Sequence, residues 1–186
     1  MFCFFSLMAG WIAINMRILG IDPGYAIVGY GALEYRNNQF RTVEYGVITT
    51  PKEMAFDRRL EVIYDGLCAI IERDSPEAMA VERLYFTNNQ KTAIDVGQAR
   101  GVILLAARKH GIPIYEYTPL QVKQSIVGYG KAIKKQVMEM TRVMLHLKEI
   151  PRPDDAADAL AIAICHGHSA GNTLDALTAR SAGSQW

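Results

Sequence analysis

Beyond an apolar opening stretch, the hydrophobic pattern begins with a short run, Ile18, Leu19, Gly20 and Ile21, that stops at the turn tripeptide Asp22-Pro23-Gly24. A run of this kind predicts a buried strand that delivers Asp22 to its end. Two more strand-like stretches, 26–34 and 40–50, flank Asn37-Asn38, a pair suited to a tight hairpin, so three consecutive antiparallel strands are expected. The period then changes: Leu60, Ile63, Leu67 and Ile70 recur at helical spacing and predict a helix over 56–73. A second short apolar run, 78–81, ends in another carboxylate, Glu82. A long helix is predicted over 92–110, stopped by Gly111, and then a fifth strand over 114–117. Helical segments over 121–127 and 133–147 follow, separated by a turn at Gly128-Tyr129-Gly130-Lys131. Asp154 is placed to cap a last helix over 156–166, and the small, polar tail from Gly167 is expected to fray.

Three strands, helix, strand, helix, strand and further helices make an α/β arrangement, a mixed five-stranded sheet flanked by helices, which is the architecture of the ribonuclease H-like fold. With 186 residues, half of them hydrophobic, the chain can bury one substantial core and is short for two. One domain is expected over 16–168, followed by a flexible tail over 169–186. Residues 1–15 are apolar but lack a basic leading region and a cleavage site, and they are too short to span a membrane. Since Met16-Arg17 leads straight into the first strand, residues 1–15 are expected to be a non-native or mis-called extension. Cys3, Cys68 and Cys165 form an odd, widely spaced set with no CxxC pair, which indicates neither a disulfide framework nor a zinc site and points to a reducing cytoplasm.

The net charge of +1 conceals an uneven distribution. Between 91 and 150 there are ten Lys and Arg residues against four acids, a local excess of +6. A basic half beside a carboxylate-bearing half suits an enzyme that grips phosphates with one surface and binds cations with another. Four acids are candidates for the cation site: Asp22 and Glu82, each ending an apolar run, and Asp155 and Asp158, three apart and so on one helical face. Carboxylates gathered without a compensating Lys or Arg raise one another's pKa, whereas a divalent cation keeps them ionised. An oxygen-only set favours Mg²⁺ over Zn²⁺, with Mn²⁺ able to substitute. Two such ions can activate a water and stabilise a departing 3′-oxygen, leaving 5′-phosphate and 3′-hydroxyl ends.

Five blocks carry a resemblance: GIDPG at 20–24, AVER at 80–83, VGQARGV at 96–102, QVKQSIVGYG at 121–130 and DAADALAIAICH at 155–166. In this order and spacing they resemble the RuvC resolvases, from Met16 to about His168. The resemblance implies a metal-dependent endonuclease that resolves four-way (Holliday) junctions as a homodimer, in recombination and repair, together with the RuvA and RuvB branch-migration proteins. It implies Asp22, Glu82, Asp155 and Asp158 as catalytic acids, Tyr85 as the ring that stacks on bases, and Lys123 and Lys134 as DNA contacts. Tyr85 stands where the family more often has Phe, and Phe86 follows it, so either ring can serve.

Lys131 and Lys135 could clamp phosphates beside Lys134. Gly97 and Gly101, inside a helical pattern, are expected to permit close approach of a packed helix or a DNA strand. His166 and His168 stay outside the catalytic set. The alternative from the same residues is a ribonuclease H-like nuclease acting on another nucleic acid. An actin-like nucleotide-binding fold is disfavoured, because no second Gly-rich phosphate loop is present.

Overall fold

Strict alternation along the first strand sets the architecture: Ile18 and Gly20 face one side of the sheet, Leu19 and Ile21 the other. The computed structural model describes residues 15–83 and 90–182, with side chains described outside 90–92 and 172–182. Strands β1 (Asn15–Asp22), β2 (Ile27–Arg36) and β3 (Gln39–Thr49) form the expected antiparallel meander. Its hairpin turns at Asn37 and Asn38, both at positive φ, and a register shift at Ala32/Leu33 adds a bulge. Strand β4 (Ala78–Glu82) pairs parallel to β1, and β5 (Ile114–Tyr117) parallel to β4, giving the order β3-β2-β1-β4-β5.

Each face of this mixed sheet is covered by helices. On one side α1 (Phe56–Asp74) and α2 (Gln90–Lys109) bury Ile63, Leu67 and Ile103 against Leu19, Ile21, Met79 and Val81. On the other, α3 (Pro119–Val127), α4 (Lys134–Met144) and α5 (Asp154–Ala182) pack Val122, Val137, Leu160 and Ile164 against Ile18, Leu33 and Ala80. Each of the fully buried Leu and Ile side chains among these contributes about 1.5–3 kcal/mol relative to exposure. Helix α5 lies directly on β1 and β2. It can approach so closely because Gly20 has no side chain: a Cβ there would fall 2.1 Å from the Ala159 carbonyl oxygen.

The last helix departs from expectation at both ends. Asp154 is its first helical residue instead of a flanking cap, with its carboxylate engaged by Arg152 and Lys134. Nor does the helix end at His166; it runs through Gly167 to Ala182. Aromatic side chains of the β2–β3 hairpin support this continuation, since Gly167 packs on Phe40 and Gly171 on Tyr35. Ser169 Oγ donates to the Cys165 carbonyl along the same stretch, 2.8 Å away.

Candidate active site

The alternation that buries Leu19 and Ile21 on one face turns Asp22 to the other, toward α5. The same parity holds in β4, where Met79 and Val81 join the α1/α2 core while Ala80 and Glu82 face α5. Because Ile21 registers with Val81 in the parallel pair, Asp22 and Glu82 end adjacent strands side by side. Asp155 and Asp158 come from the first turns of α5 over that same edge. Asp155 is held low on the sheet by Gly29, where a Cβ would fall 2.0 Å from the Asp155 carbonyl oxygen. The N-terminus of α5 also presents its partial positive charge to these acids.

Electrostatics tie the four together. Burial pushes the Asp22 carboxyl up from 3.8 to about 7, and the charges of Glu82, Asp158 and Asp155 push it the same way, against the pull of Lys134. Glu82 is also raised, first by burial and then by Asp158, with Lys123 and Lys134 opposing. A base also stands among the acids. Lys134 Nζ lies 2.9 Å from Asp158 and 3.6 Å from Asp154. The two residues are distant in sequence and meet only because α4 and α5 pack at their N-termini.

Glu82, Lys123, Lys134 and Asp158 line one cleft of about 240 Å³, walled by Val122, Val137 and Ile162. Local sequence places the lysines. Thr118 caps α3 reciprocally with Gln121, Pro119 starts the helix, and Lys123 follows one turn later. At the start of α4, Ile133 N–H donates to Gln136 Oε1 at 3.0 Å, fixing the turn from which Lys134 projects.

Carboxylates are the donor chemistry of a hard divalent cation, and their mutual repulsion is what such an ion relieves. Among the described residues no three of the His, Cys, Asp and Glu side chains converge closely enough to hold an ion as they stand. Asp158 is turned onto Lys134 instead. The acids thus fit a divalent ion in kind and neighbourhood, and holding one requires their side chains to turn inward.

The comparisons with known proteins identify the family. The family model described as crossover junction endodeoxyribonuclease RuvC matches residues 18–166. The chain belongs to the RuvC family. The RuvC of Clostridioides difficile is 56% identical over 154 residues, 83% of this chain and 91% of that protein. The structure of Thermus thermophilus RuvC has 38% identity and a TM-score of 0.80, covering 85% of this chain and 97% of that one. The T. thermophilus RuvC in complex with Holliday junction substrate has 36% identity and a TM-score of 0.77, covering 83% of this chain and 95% of that one. Both support the ribonuclease H-like reading of the mixed sheet, and the chain is accordingly a crossover junction endodeoxyribonuclease. Membership of the RuvC family implies dependence on a divalent metal.

Other residues singled out in the sequence fall elsewhere. Tyr85 and Phe86 lie outside the described residues. Among the described residues Gly97 and Gly101 have no packing partner: a Cβ at either would meet nothing within 4 Å. Lys131 and Lys135 are exposed. His166 lies two turns along α5 from Asp158, buried, its Nδ1 2.8 Å from the Tyr117 hydroxyl and its ring against Tyr115. Burial pushes its pKa down to about 4, so it is neutral at physiological pH. Sequence reasoning took Asp154 only as a helix cap and missed Gly29; for Gly29, its place opposite Asp22 in the hairpin was the available signal.

Proposed function

We propose that this RuvC-family chain resolves four-way (Holliday) junction DNA, in recombination and repair, by paired phosphodiester hydrolysis that leaves 5′-phosphate and 3′-hydroxyl nicks. The observation that carries this reading is the single cleft in which Glu82 and Asp158 face Lys123 and Lys134, beside the electrostatically coupled Asp22. Asp22, Glu82, Asp155 and Asp158 would hold the metal, two Mg²⁺ per site with Mn²⁺ as a substitute. When bound, the ions supply an activated water and Lewis-acid stabilisation of the reacting phosphate.

The residues of the chain provide the rest. Lys123 and Lys134 receive phosphate oxygens and hold the backbone against the acids, a contact that weakens with salt. Tyr85 supplies a stacking face for an unpaired base near the junction centre, worth about 1–3 kcal/mol without sequence readout. The junction presents two equivalent strands, and a twofold homodimer matches that symmetry. An exposed stripe on α2 supports the dimer: Ile94 and Leu105 are 62% and 52% exposed, and Gly97 and Gly101 lie between them with room for a second backbone. Partnership with RuvA and RuvB and a cytoplasmic setting belong to the same proposal and rest on the family. Among the described residues no helix is long and apolar enough to cross a membrane.

The deciding experiment offers the protein a synthetic four-way junction, plain duplex and an RNA–DNA hybrid, each with Mg²⁺ or with EDTA. Symmetric nicks confined to the junction and to the Mg²⁺ reactions are expected. Equal cutting of duplex or hybrid would instead favour a ribonuclease H-like nuclease with another substrate, and cutting in EDTA would remove the metal from the account.

A further inference from the structure

The Lys134 ammonium stands between two carboxylates with different duties. Asp158 belongs to the proposed metal-holding set; Asp154 does not, and no block of the family resemblance contains it. The two acids are four residues apart on α5, so their side chains are neighbours on one helical face. Lys134 Nζ is 2.9 Å from Asp158 Oδ2 and 3.6 Å from Asp154 Oδ2. The other oxygen of Asp154, Oδ1, accepts from Arg152 Nη1 at 2.7 Å, which steadies the carboxylate from the solvent side. The backbone end of Lys134 is steadied too, at the start of α4, while its half-exposed four-carbon stem leaves the ammonium free to shift from Asp158 toward Asp154.

We propose that Lys134 is an internal counter-ion with two seats, and that Asp154 is the positioning residue that receives it when a divalent ion claims Asp158. This rests on the reading of the four acids as metal ligands. An ammonium paired to Asp158 competes directly with a dication for that carboxylate. Without a second seat, it would have to leave toward solvent as the metal arrives, taking a phosphate-binding group out of the cleft. With Asp154 beside it, Lys134 yields Asp158, keeps a partner, and stays within the cleft to meet a phosphate.

The test is a titration of the full-length, DNA-free protein with Mn²⁺, followed by the electron paramagnetic resonance signal of the free ion, with melting curves to establish that each variant is folded. Exposed ion pairs of this kind are worth up to about 1 kcal/mol, which is roughly a 5-fold change in Kd. Lys134→Gln should bind Mn²⁺ about 3- to 5-fold more tightly, because the competitor is gone. Asp154→Asn should bind it about 3- to 5-fold more weakly, and Asp154→Glu should restore the affinity. Simple loss of negative charge would also weaken binding in Asp154→Asn, so the double variant decides. In a Lys134→Gln background, Asp154→Asn should have little further effect. Equal weakening in both backgrounds, or no tightening in Lys134→Gln, overturns the two-seat arrangement while leaving the metal site standing. A wild-type protein that binds no Mn²⁺ overturns both.

Discussion

Ile21 and Asp22 are adjacent in the chain and belong to opposite worlds. Ile21 is fully buried in the α1/α2 core, whereas Asp22 faces α5 among three other acids. The two faces of the sheet differ in the same way along their length. The α1/α2 face stays apolar to the end of the strands, and its helices can close over it. The α5 face begins apolar at Ile18 and Ala80, then gives way at the strand ends to Asp22 and Glu82, with glycine at 20 and 29 letting the helix settle close. One residue of parity therefore separates a side chain in the apolar core from one in the candidate metal site.

The sharpest break in that comparison is Asp22→Asn. Removing a metal-facing charge should lower junction cleavage by roughly 10³-fold or more while junction binding, measured by gel shift, is retained. Its neighbour should behave oppositely. Ile21→Ala should cost about 2–5 kcal/mol in denaturant unfolding, with cleavage per folded molecule little changed. Gly29→Ala tests the seam between the faces: its new methyl group meets the Asp155 carbonyl oxygen, so about 1–3 kcal/mol of stability and a clear loss of cleavage should go together.

The mildest effect is a pH dependence. Since the Asp22 carboxyl titrates at about 7 in the folded protein instead of 3.8, the folded state holds more protons than the unfolded state between those values. Stability in EDTA should therefore fall as pH rises from 4 to 7. Mg²⁺ favours the ionised form, so its stabilising effect should be larger at pH 8 than at pH 5. Asp22→Asn should flatten both trends, and melting temperatures with and without Mg²⁺ check them.

Much of this was legible in the chain itself. The order of elements along the chain, the Asn37-Asn38 hairpin and the position of the four candidate acids at element ends follow from local signals: apolar runs ending in turns, a change of period, carboxylates beside them. What escaped was tertiary. Nothing near Lys134 in sequence announces Asp158, because the pair forms only where two helix starts meet. The small residues from Gly167 onward look like a helix end until Tyr35 and Phe40 of a distant hairpin pack against them. Gly97 and Gly101 suggested close approach of a packed helix or a DNA strand, and among the described residues no helix fills that space.

The central claim is that carboxylates from β1, β4 and α5 jointly hold divalent ions. Crystals of the wild-type protein soaked in Mn²⁺, with diffraction recorded at the manganese absorption edge, test it most directly. The account predicts anomalous density between Asp22, Glu82, Asp155 and Asp158, with Asp158 turned away from Lys134. Manganese bound only elsewhere, with Asp158 still paired to Lys134 at saturating metal, would contradict it.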